Sequence, residues 1–292
     1  MLKGKRKFPS FIFFLLPFLT LFSLFLIFPF VYSLFISTTN MSLSPTYEFR
    51  GIANYQYVLG GRDTLFLAGF RFLSILMFTQ VPIMTVLAIA LAIILNSALV
   101  KAKVIFRTAI VLPMMTSIVV SAITWDYMFG ERFGLINNFL RMAGLPGQPW
   151  LLTSFFARAS IIMVMLWRWT GYNMILFLAG LQAIPEELYD AAKLDAGRLQ
   201  AVWYITLPLL KPMIIFATIM NIVGCLQCFA EPYILTRGGP GNATYSVLMR
   251  IYNMAFGQYQ FGYAAAGSWV LALVAICASV LFMWGTGFFK KG

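Results

Sequence analysis

The run FLSILMFTQVPIMTVLAIALAIILNSALV at residues 72–100 contains no charged side chain. A helix needs about 20 predominantly apolar residues to cross the hydrocarbon core of a bilayer, and this run is longer than that. Further charge-free stretches cover residues 8–47, 108–125, 212–230 and 251–289. These stretches decide the fold, because together they are too long and too apolar for a soluble domain. They predict a protein that crosses the membrane several times.

The composition supports the same conclusion and excludes several kinds of chemistry. Of the 292 residues, 61% are hydrophobic and 10% are charged, against about 45–50% and about 25% in soluble domains. The chain has no histidine, so imidazole acid–base catalysis and the commonest metal ligand are excluded. It also lacks the G-x-x-x-x-G-K-[ST] loop that cradles phosphates. We therefore expect this chain to bind no cofactor. It also lacks an evident acid–base pair with which a membrane enzyme could work. If ATP drives the protein, another subunit is expected to hydrolyse it.

The three cysteines carry no metal signature either. Cys225 and Cys228 form a C-x-x-C pair and Cys277 follows in the last apolar stretch, but the further ligands of a zinc site are missing. We expect the cysteines to pack in the core or to line a pocket.

The apolar pattern predicts an all-α integral membrane protein with six transmembrane helices. Residues 1–10 form a basic N-terminus, residues 11–36 the first helix, residues 70–285 a core of five helices, and residues 286–292 the C-terminus. Within the core we predict spans at 70–96, 108–129, 160–181, 212–230 and 263–285, joined by an inner loop at 183–211. The fifth span is expected to begin at Pro212, since the first turn of a helix needs no amide donor.

Basic residues predict the orientation. With the N-terminus inside, the inner segments hold 12 of the 21 Lys and Arg residues, including all nine lysines, and the longer outer segments hold 7. The positive-inside rule then places both termini in the cytoplasm. Anionic lipid of the inner leaflet attracts the same lysines, so the net charge of +12 needs no nucleic-acid partner.

The inner loop at 183–211 has a helical pattern of its own. A helix is expected to open at Pro185, with Glu186 and Glu187 near the positive end of its dipole, and to end near Gly197. A second, apolar segment at 199–207 is expected to stop before Pro208. Such a loop either lies on the inner leaflet or is covered by another protein.

The motifs of this loop resemble a known family. Asp190-Ala191-Ala192, then Gly197, then Ile205-x-Leu207-Pro208 resemble the "EAA" coupling motif of permease subunits in binding-protein-dependent ABC importers. Leu181-Gln-Ala-Ile-Pro185, Leu235-Thr-Arg-Gly-Gly-Pro240 and Phe261-Gly-Tyr-Ala-Ala-Ala266 are similar to the carbohydrate branch, in particular the maltose-type larger permease subunit. One departure concerns the register: family members carry Asp-Gly-Ala where this chain has Asp195-Ala196-Gly197, and its loop is one residue short.

The resemblance implies the type I ABC importer permease fold in a bacterial or archaeal cell membrane. It implies four kinds of partner: a second homologous permease, a cytoplasmic ATPase dimer that binds the ATP, an extracytoplasmic solute-binding protein, and a carbohydrate substrate. It also implies ATPase coupling through the following residues of the loop: Glu187, Asp190, Ala191, Ala192, Lys193, Asp195, Gly197, Ile205, Leu207 and Pro208.

Polar and aromatic groups within the spans indicate where a substrate would pass, because such groups usually face the bundle interior. Trp and Tyr rings can cover a sugar ring, while Arg, Asn and Gln can bond its hydroxyls. The candidates recur at helical spacing on the fourth and fifth predicted spans, where the resemblance also places sugar contacts: Met165, Arg168, Trp169, Tyr172, Asn221, Gly224, Cys225, Gln227 and Cys228.

Two interpretations of Arg168 are open. The guanidinium recognises a hydroxyl-dense or anionic substrate group, or it snorkels to the outer interface or pairs with Asp126 or Glu231.

The function implied is a non-catalytic permease subunit of an ATP-driven importer for an oligosaccharide, a sugar derivative or a polyol phosphate. The alternative is a self-sufficient secondary transporter or channel. That alternative requires an acidic coupling residue buried in mid-membrane, whereas Asp126 and Glu231 both fall near the outer ends of their spans.

Overall fold

The computed structural model of the chain describes residues 10–44, 46–97, 100–195 and 197–287. The predicted terminal segments lie almost wholly outside this range, as does Ala196 of the inner loop. The described residues are helical except for loops and one isolated bridge between Thr39 and Phe49, so the predicted all-α class is confirmed.

Fourteen α-helices follow one another in the described part of the chain. They are α1 Ser10–Phe22, α2 Phe28–Ser37, α3 Ala53–Leu59, α4 Thr64–Asn96, α5 Lys103–Met115, α6 Ile118–Met128, α7 Leu135–Met142, α8 Ser154–Gln182, α9 Glu186–Asp195, α10 Arg198–Ala201, α11 Leu207–Leu226, α12 Ala230–Leu235, α13 Val247–Tyr252 and α14 Phe261–Gly285. Single π turns follow three of them, at Ser23–Ile27, Val202–Thr206 and Asn253–Gly257.

The number of spans agrees with the sequence prediction if one bent pair is counted as a single span. Five helical segments are long and apolar enough to cross a membrane: Phe14–Ser37, Thr64–Asn96, Ser154–Gln182, Leu199–Leu235 and Phe261–Gly285. The sixth consists of α5 and α6, which meet at an angle of 99°.

This bend corrects the prediction of one continuous span at 108–129. Thr116 and Ser117 are extended, with ψ of 149° and 137°, and this interrupts the ladder of backbone bonds. The Thr116 hydroxyl donates to the Pro113 carbonyl at 2.7 Å and lies 2.6 Å from the Ser121 hydroxyl. These side-chain bonds satisfy polar groups that the break leaves without helical partners.

Several helix ends also differ from the prediction. α4 begins at Thr64 rather than at residue 70, and α8 begins at Ser154 rather than at residue 160. A charged side chain does not end a helix if it finds a partner: the Arg158 Nε donates to the Ala243 carbonyl at 2.9 Å.

The predicted stop before Pro208 and the start of span five at Pro212 are wrong. α11 begins at Leu207, with Pro208 in its first turn and Pro212 inside it. The π turn at Val202–Thr206 leads directly into this helix, so the helical run continues through both prolines.

The chain divides into two compact units, which comprise the described residues of 1–63 with 251–270 and of 64–250 with 271–292. In the first unit, Asn54 is buried and its Nδ2 donates to the carbonyls of Ser37 at 2.8 Å and Thr39 at 2.7 Å. The Trp269 Nε1 donates to the Ser33 hydroxyl at 3.2 Å. These bonds connect the end of the first span to α3 and to α14.

The second unit contains the main core, which α4, α8 and α11 form together. Its buried side chains are both large and small, and they include Ala88, Ala92, Phe177, Leu181, Leu210 and Ala217. Small residues allow membrane helices to approach closely, which is the usual way in which they associate without a hydrophobic driving force.

Gly171 in α8 provides a test of this close packing. A Cβ built at Gly171 would collide with the Ile110 carbonyl oxygen and lie 3.0 Å from the Val111 Cα of α5. We expect Gly171→Ala to lower the free energy of unfolding by about 1–3 kcal/mol, because the helices must separate. Thermal unfolding of the purified chain in detergent measures this change.

The matched control is Gly224→Ala, since a Cβ at Gly224 meets nothing within 4 Å. This variant is expected to melt at or slightly above the temperature of the unmodified chain. Equal melting temperatures for the two variants would contradict the close approach of α5 and α8.

Candidate functional site

A cavity of about 290 Å³ lies within the second unit, between α4, α6, α8 and α11. Its lining is aromatic, amide-bearing and rich in sulfur. The lining residues are Gln80, Met84, Ile118, Met165, Trp169, Tyr172, Met220, Asn221, Gly224, Cys225, Gln227, Cys228 and Glu231.

The structure brings together eight of the nine residues that the sequence placed on the substrate pathway. They are Met165, Trp169 and Tyr172 from α8, Asn221, Gly224 and Cys225 from the end of α11, its cap residue Gln227, and Cys228, which follows the cap. Residues at i, i+4 and i+7 share one face of a helix, and the two faces lie opposite each other across the cavity.

Arg168 is the exception, since it is not among the residues that line this cavity. The side chain is 8% exposed, and its Nη1 donates to the Ser121 hydroxyl of α6 at 3.1 Å. Its Cζ lies 5.6 Å from the centre of the Trp169 ring, so the guanidinium supports that ring. A long side chain on the right helix face can still turn toward a hydroxyl on a neighbouring helix, and spacing alone does not reveal this.

Neither acidic partner proposed for Arg168 forms an ion pair with it. Among the ion pairs of the described residues, neither Asp126 nor Glu231 is paired with Arg168 within 4.0 Å. The Arg168 Nε has no hydrogen-bond partner.

Two amides connect α8 to α11 beside the cavity. The Asn221 Nδ2 donates to the Asn173 Oδ1 at 3.0 Å, and the Asn173 Nδ2 lies 3.4 Å from the Asn221 Oδ1. The same Asn173 amide donates to the Trp169 carbonyl at 3.1 Å. This pair of side chains, the amide clasp, fixes the rotation of both cavity-lining helices.

Gln80 of α4 is a lining residue that the sequence reasoning missed. The residue is 1% exposed. Its Oε1 accepts a hydrogen bond from the Cys225 thiol at 2.7 Å, and its Nε2 donates to the Met84 sulfur at 3.3 Å. A lone amide in a long apolar run was a sufficient signal, because polar groups inside a span usually face the bundle. Met84, Ile118 and Met220 carried no such signal.

The helix that carries Asn221 ends at the cavity. α11 ends at Leu226. The backbone N–H of Gln227 caps it by donating to the carbonyls of Val223 and Gly224, each at 3.2 Å. After a break at Cys228 and Phe229 the chain resumes as α12, which brings Glu231 into the lining. Interrupted helices of this kind are characteristic of substrate sites in transporters.

The inner loop has the first helical segment expected, and its second segment continues into α11. α9 begins at Glu186 with two acidic residues in its first turn, and the Tyr189 hydroxyl lies 3.0 Å from that of Thr206. Glu187, Asp190, Gly197 and Pro208 are exposed, while Ile205 and Leu207 are half-buried. The side chains of Ala191, Ala192, Lys193 and Asp195 lie outside the described residues.

Comparison with known proteins identifies the family. The model of the binding-protein-dependent transport system inner membrane component matches residues 84–292. The chain belongs to this family. As a family member it is a multi-pass protein of the inner membrane and a non-catalytic permease subunit.

Curated relatives resemble the chain over nearly its whole length. It is 38% identical over 277 residues to the lactose transport system permease protein LacF of Rhizobium radiobacter, covering 92% of this chain and 91% of the relative. It is 34% identical over 285 residues to the trehalose/maltose transport system permease protein MalF of Thermococcus litoralis, covering 95% and 93%.

A solved structure shares the fold. A bacterial ABC transporter involved in the import of the acidic polysaccharide alginate includes a chain with a TM-score of 0.84 and 22% identity, covering 97% of this chain and 96% of the other. The likeness confirms the ABC importer permease fold.

The amide clasp generates a prediction about stability. Asn221→Leu leaves the Asn173 Oδ1 without its donor inside the bundle, so this single change is expected to lower the free energy of unfolding by about 1–3 kcal/mol. Asn173→Leu should act similarly. The double variant should lose less than the sum of the two, with a coupling energy of about 1 kcal/mol.

Denaturation in mixed micelles measures all four chains of this cycle. Additive losses would show that the two amides act independently.

Proposed function

We propose that this family member is the permease subunit of an ATP-driven carbohydrate importer and forms half of the translocation pathway. The observation that carries the proposal is the cavity between α8 and α11, in which Trp169 and Tyr172 provide flat rings and Asn221 and Gln227 provide amides. This combination suits a sugar, which has apolar ring faces and polar edges. The names of LacF and MalF support the same substrate class.

The proposal includes partners on both sides of the membrane. A second homologous permease completes the pathway, because the cavity of one chain, at about 290 Å³, is small for an oligosaccharide. An extracytoplasmic solute-binding protein delivers the sugar, as the family description indicates. A solved alginate importer was captured with a periplasmic protein bound to an alginate pentasaccharide, which is a precedent for this delivery.

A cytoplasmic ATPase dimer supplies the energy and binds the ATP, and this chain holds no cofactor. The dimer is proposed to contact the inner loop, where large side chains stand in solvent: Leu199 is 78% exposed, Trp203 67% and Tyr204 80%. Such a surface is costly in water unless it is covered. The proposed coupling residues are those of the EAA-like run: Glu187, Asp190, Ala191, Ala192, Lys193, Asp195, Gly197, Ile205, Leu207 and Pro208.

Rigid connections would carry the motion of the loop to the cavity. The loop leads into α11 without a break, since the helical run from Leu199 to Leu226 includes the π turn and α11. α8 ends just before α9 at the other side of the loop. A shift of the loop would therefore rock the two helices that hold Trp169 and Asn221, the type of motion expected in alternating access. This arrangement requires both termini and the loop to lie in the cytoplasm.

Uptake by a reconstituted complex tests the proposed function. Proteoliposomes that contain this chain, its partner permease and the ATPase dimer should accumulate radiolabelled neutral disaccharide only when ATP and the loaded binding protein are present. The chain alone in proteoliposomes is the control for a secondary transporter. Gradient-driven uptake by the chain alone would show that it is a secondary transporter and not a subunit of an ATP-driven importer.

Charge substitution tests the coupling role of the loop. Ala191→Asp and Ala192→Asp are expected to abolish co-purification of the ATPase, because a carboxylate without a partner would be buried at the interface. Ala143→Asp is the matched control, since Ala143 is exposed at the end of α7. If the loop variants retain the ATPase in the amount seen with the control, the loop is not the docking site.

A further inference from the structure

Glu231 is the only charged side chain among the described residues that line the cavity. It is 4% exposed and lies in the first turn of α12. Because α12 follows the end of α11, this carboxylate stands at the end of the cavity away from the inner loop. A carboxylate removed from water requires hydrogen-bond donors, so its local partners decide what it can bind.

The protein supplies Glu231 with two hydrogen-bond donors, its own backbone N–H and the Cys228 thiol, which donates to the Oε2 at 3.9 Å. A thiol is a weak donor. No cation lies within 4.0 Å of Glu231 among the described residues. An ionised carboxylate has about four acceptor positions, so acceptor positions remain for a ligand in the cavity.

The nearest cation is kept out of the cavity. Arg168 acts on Glu231 electrostatically, but its guanidinium is bonded to Ser121 at 3.1 Å and stands beside the Trp169 ring. A ligand in the cavity therefore meets the Trp169 ring and the Glu231 carboxylate, and does not meet the guanidinium. The remaining polar groups of the lining are amides, thiols and the Tyr172 hydroxyl, none of which is a cation.

We propose that Glu231 determines specificity by accepting hydrogen bonds from saccharide hydroxyls, so that the cavity selects neutral saccharides over acidic ones. The inference rests on the proposed carbohydrate function and specifies its substrate class. Hydrogen bonds to a carboxylate are shorter and stronger than those between neutral groups. The same carboxylate repels a uronate, which would add a second negative charge to a cavity with no cationic side chain among its described lining residues. This differs from the interpretation in which Arg168 recognises a hydroxyl-dense or anionic substrate group.

Direct binding to the assembled complex tests the inference without involving the preference of the binding protein. The complex is held in nanodiscs in its ADP–vanadate state, and binding is measured by scintillation proximity. The probes are radiolabelled neutral disaccharides (lactose, trehalose and maltose) and the same disaccharides with one CH₂OH group oxidised to a carboxylate. The unmodified complex should bind at least one neutral disaccharide about tenfold more tightly than its acidic counterpart.

Two variants of Glu231 and one control variant test whether Glu231 causes this difference in affinity. Glu231→Gln should weaken neutral binding about tenfold and reduce the preference over the acidic probe. Glu231→Asp retains the charge and should keep the preference while it weakens neutral binding. Glu131→Gln, an exposed residue outside the cavity, should change neither value. Basal ATPase activity and the melting temperature of each complex show whether it is folded, and the aspartate variant keeps the test informative if the glutamine variant unfolds.

The outcomes separate this inference from the proposed function. Equal affinity of the unmodified complex for neutral and acidic probes overturns the inference, and so does unchanged selectivity in Glu231→Gln. If Glu231→Asp loses the preference while it remains folded, the charge is not the determinant. If the unmodified complex binds no saccharide and takes up none in proteoliposomes, the carbohydrate function itself has failed.

Discussion

The structure depends on one constraint, which is that hydrocarbon offers no hydrogen-bond partners. Every polar group within a span must be satisfied by the protein itself. On the helices this is achieved locally, since the hydroxyls of Ser74, Thr79 and Thr85 donate to backbone carbonyls four residues earlier, at 2.6–2.9 Å. Between helices it is achieved by amides, as in the clasp of Asn173 and Asn221. The polar side chains are thereby drawn into the bundle, and the cavity forms where they meet.

The same constraint accounts for the two breaks beside the cavity. Irregular backbone at membrane depth is tolerated only where protein or water satisfies it. At the bend between α5 and α6 the Thr116 hydroxyl donates a hydrogen bond to the Pro113 carbonyl. At the end of α11 the backbone N–H of Gln227 donates to two carbonyls. Each break brings a lining residue to the cavity, Ile118 in the first case and Glu231 in the second. The departures from regular helix therefore build the site rather than disturb it.

Much of the cavity could be predicted from the sequence, because helical spacing identifies which residues share a face. It did so for Met165, Trp169 and Tyr172, and for Asn221, Gly224 and Cys225. Spacing could not predict the direction of a long flexible side chain: Arg168 bonds to Ser121 of another helix, 47 residues earlier, and is not in the lining. Gln80 was missed although its polarity in an apolar run was a usable signal. Met84 and Met220 had no signal, since apolar residues that face lipid and those that face a cavity look alike in sequence.

The sequence by itself determined the all-α membrane class, the approximate spans and the position along the chain of the loop between α8 and α11. These features depend on local properties, namely the length of apolar runs and the motifs around Asp190 and Pro208. Only the tertiary structure decided that the third span is bent by 99° and that α11 runs through Pro212. It also decided that the charged side chain in the cavity lining is Glu231 and not Arg168. The physical reason is that each of these depends on which partner a backbone carbonyl or a charged side chain finds on a neighbouring helix. That choice is made by packing between residues far apart in the chain, and no local pattern records it.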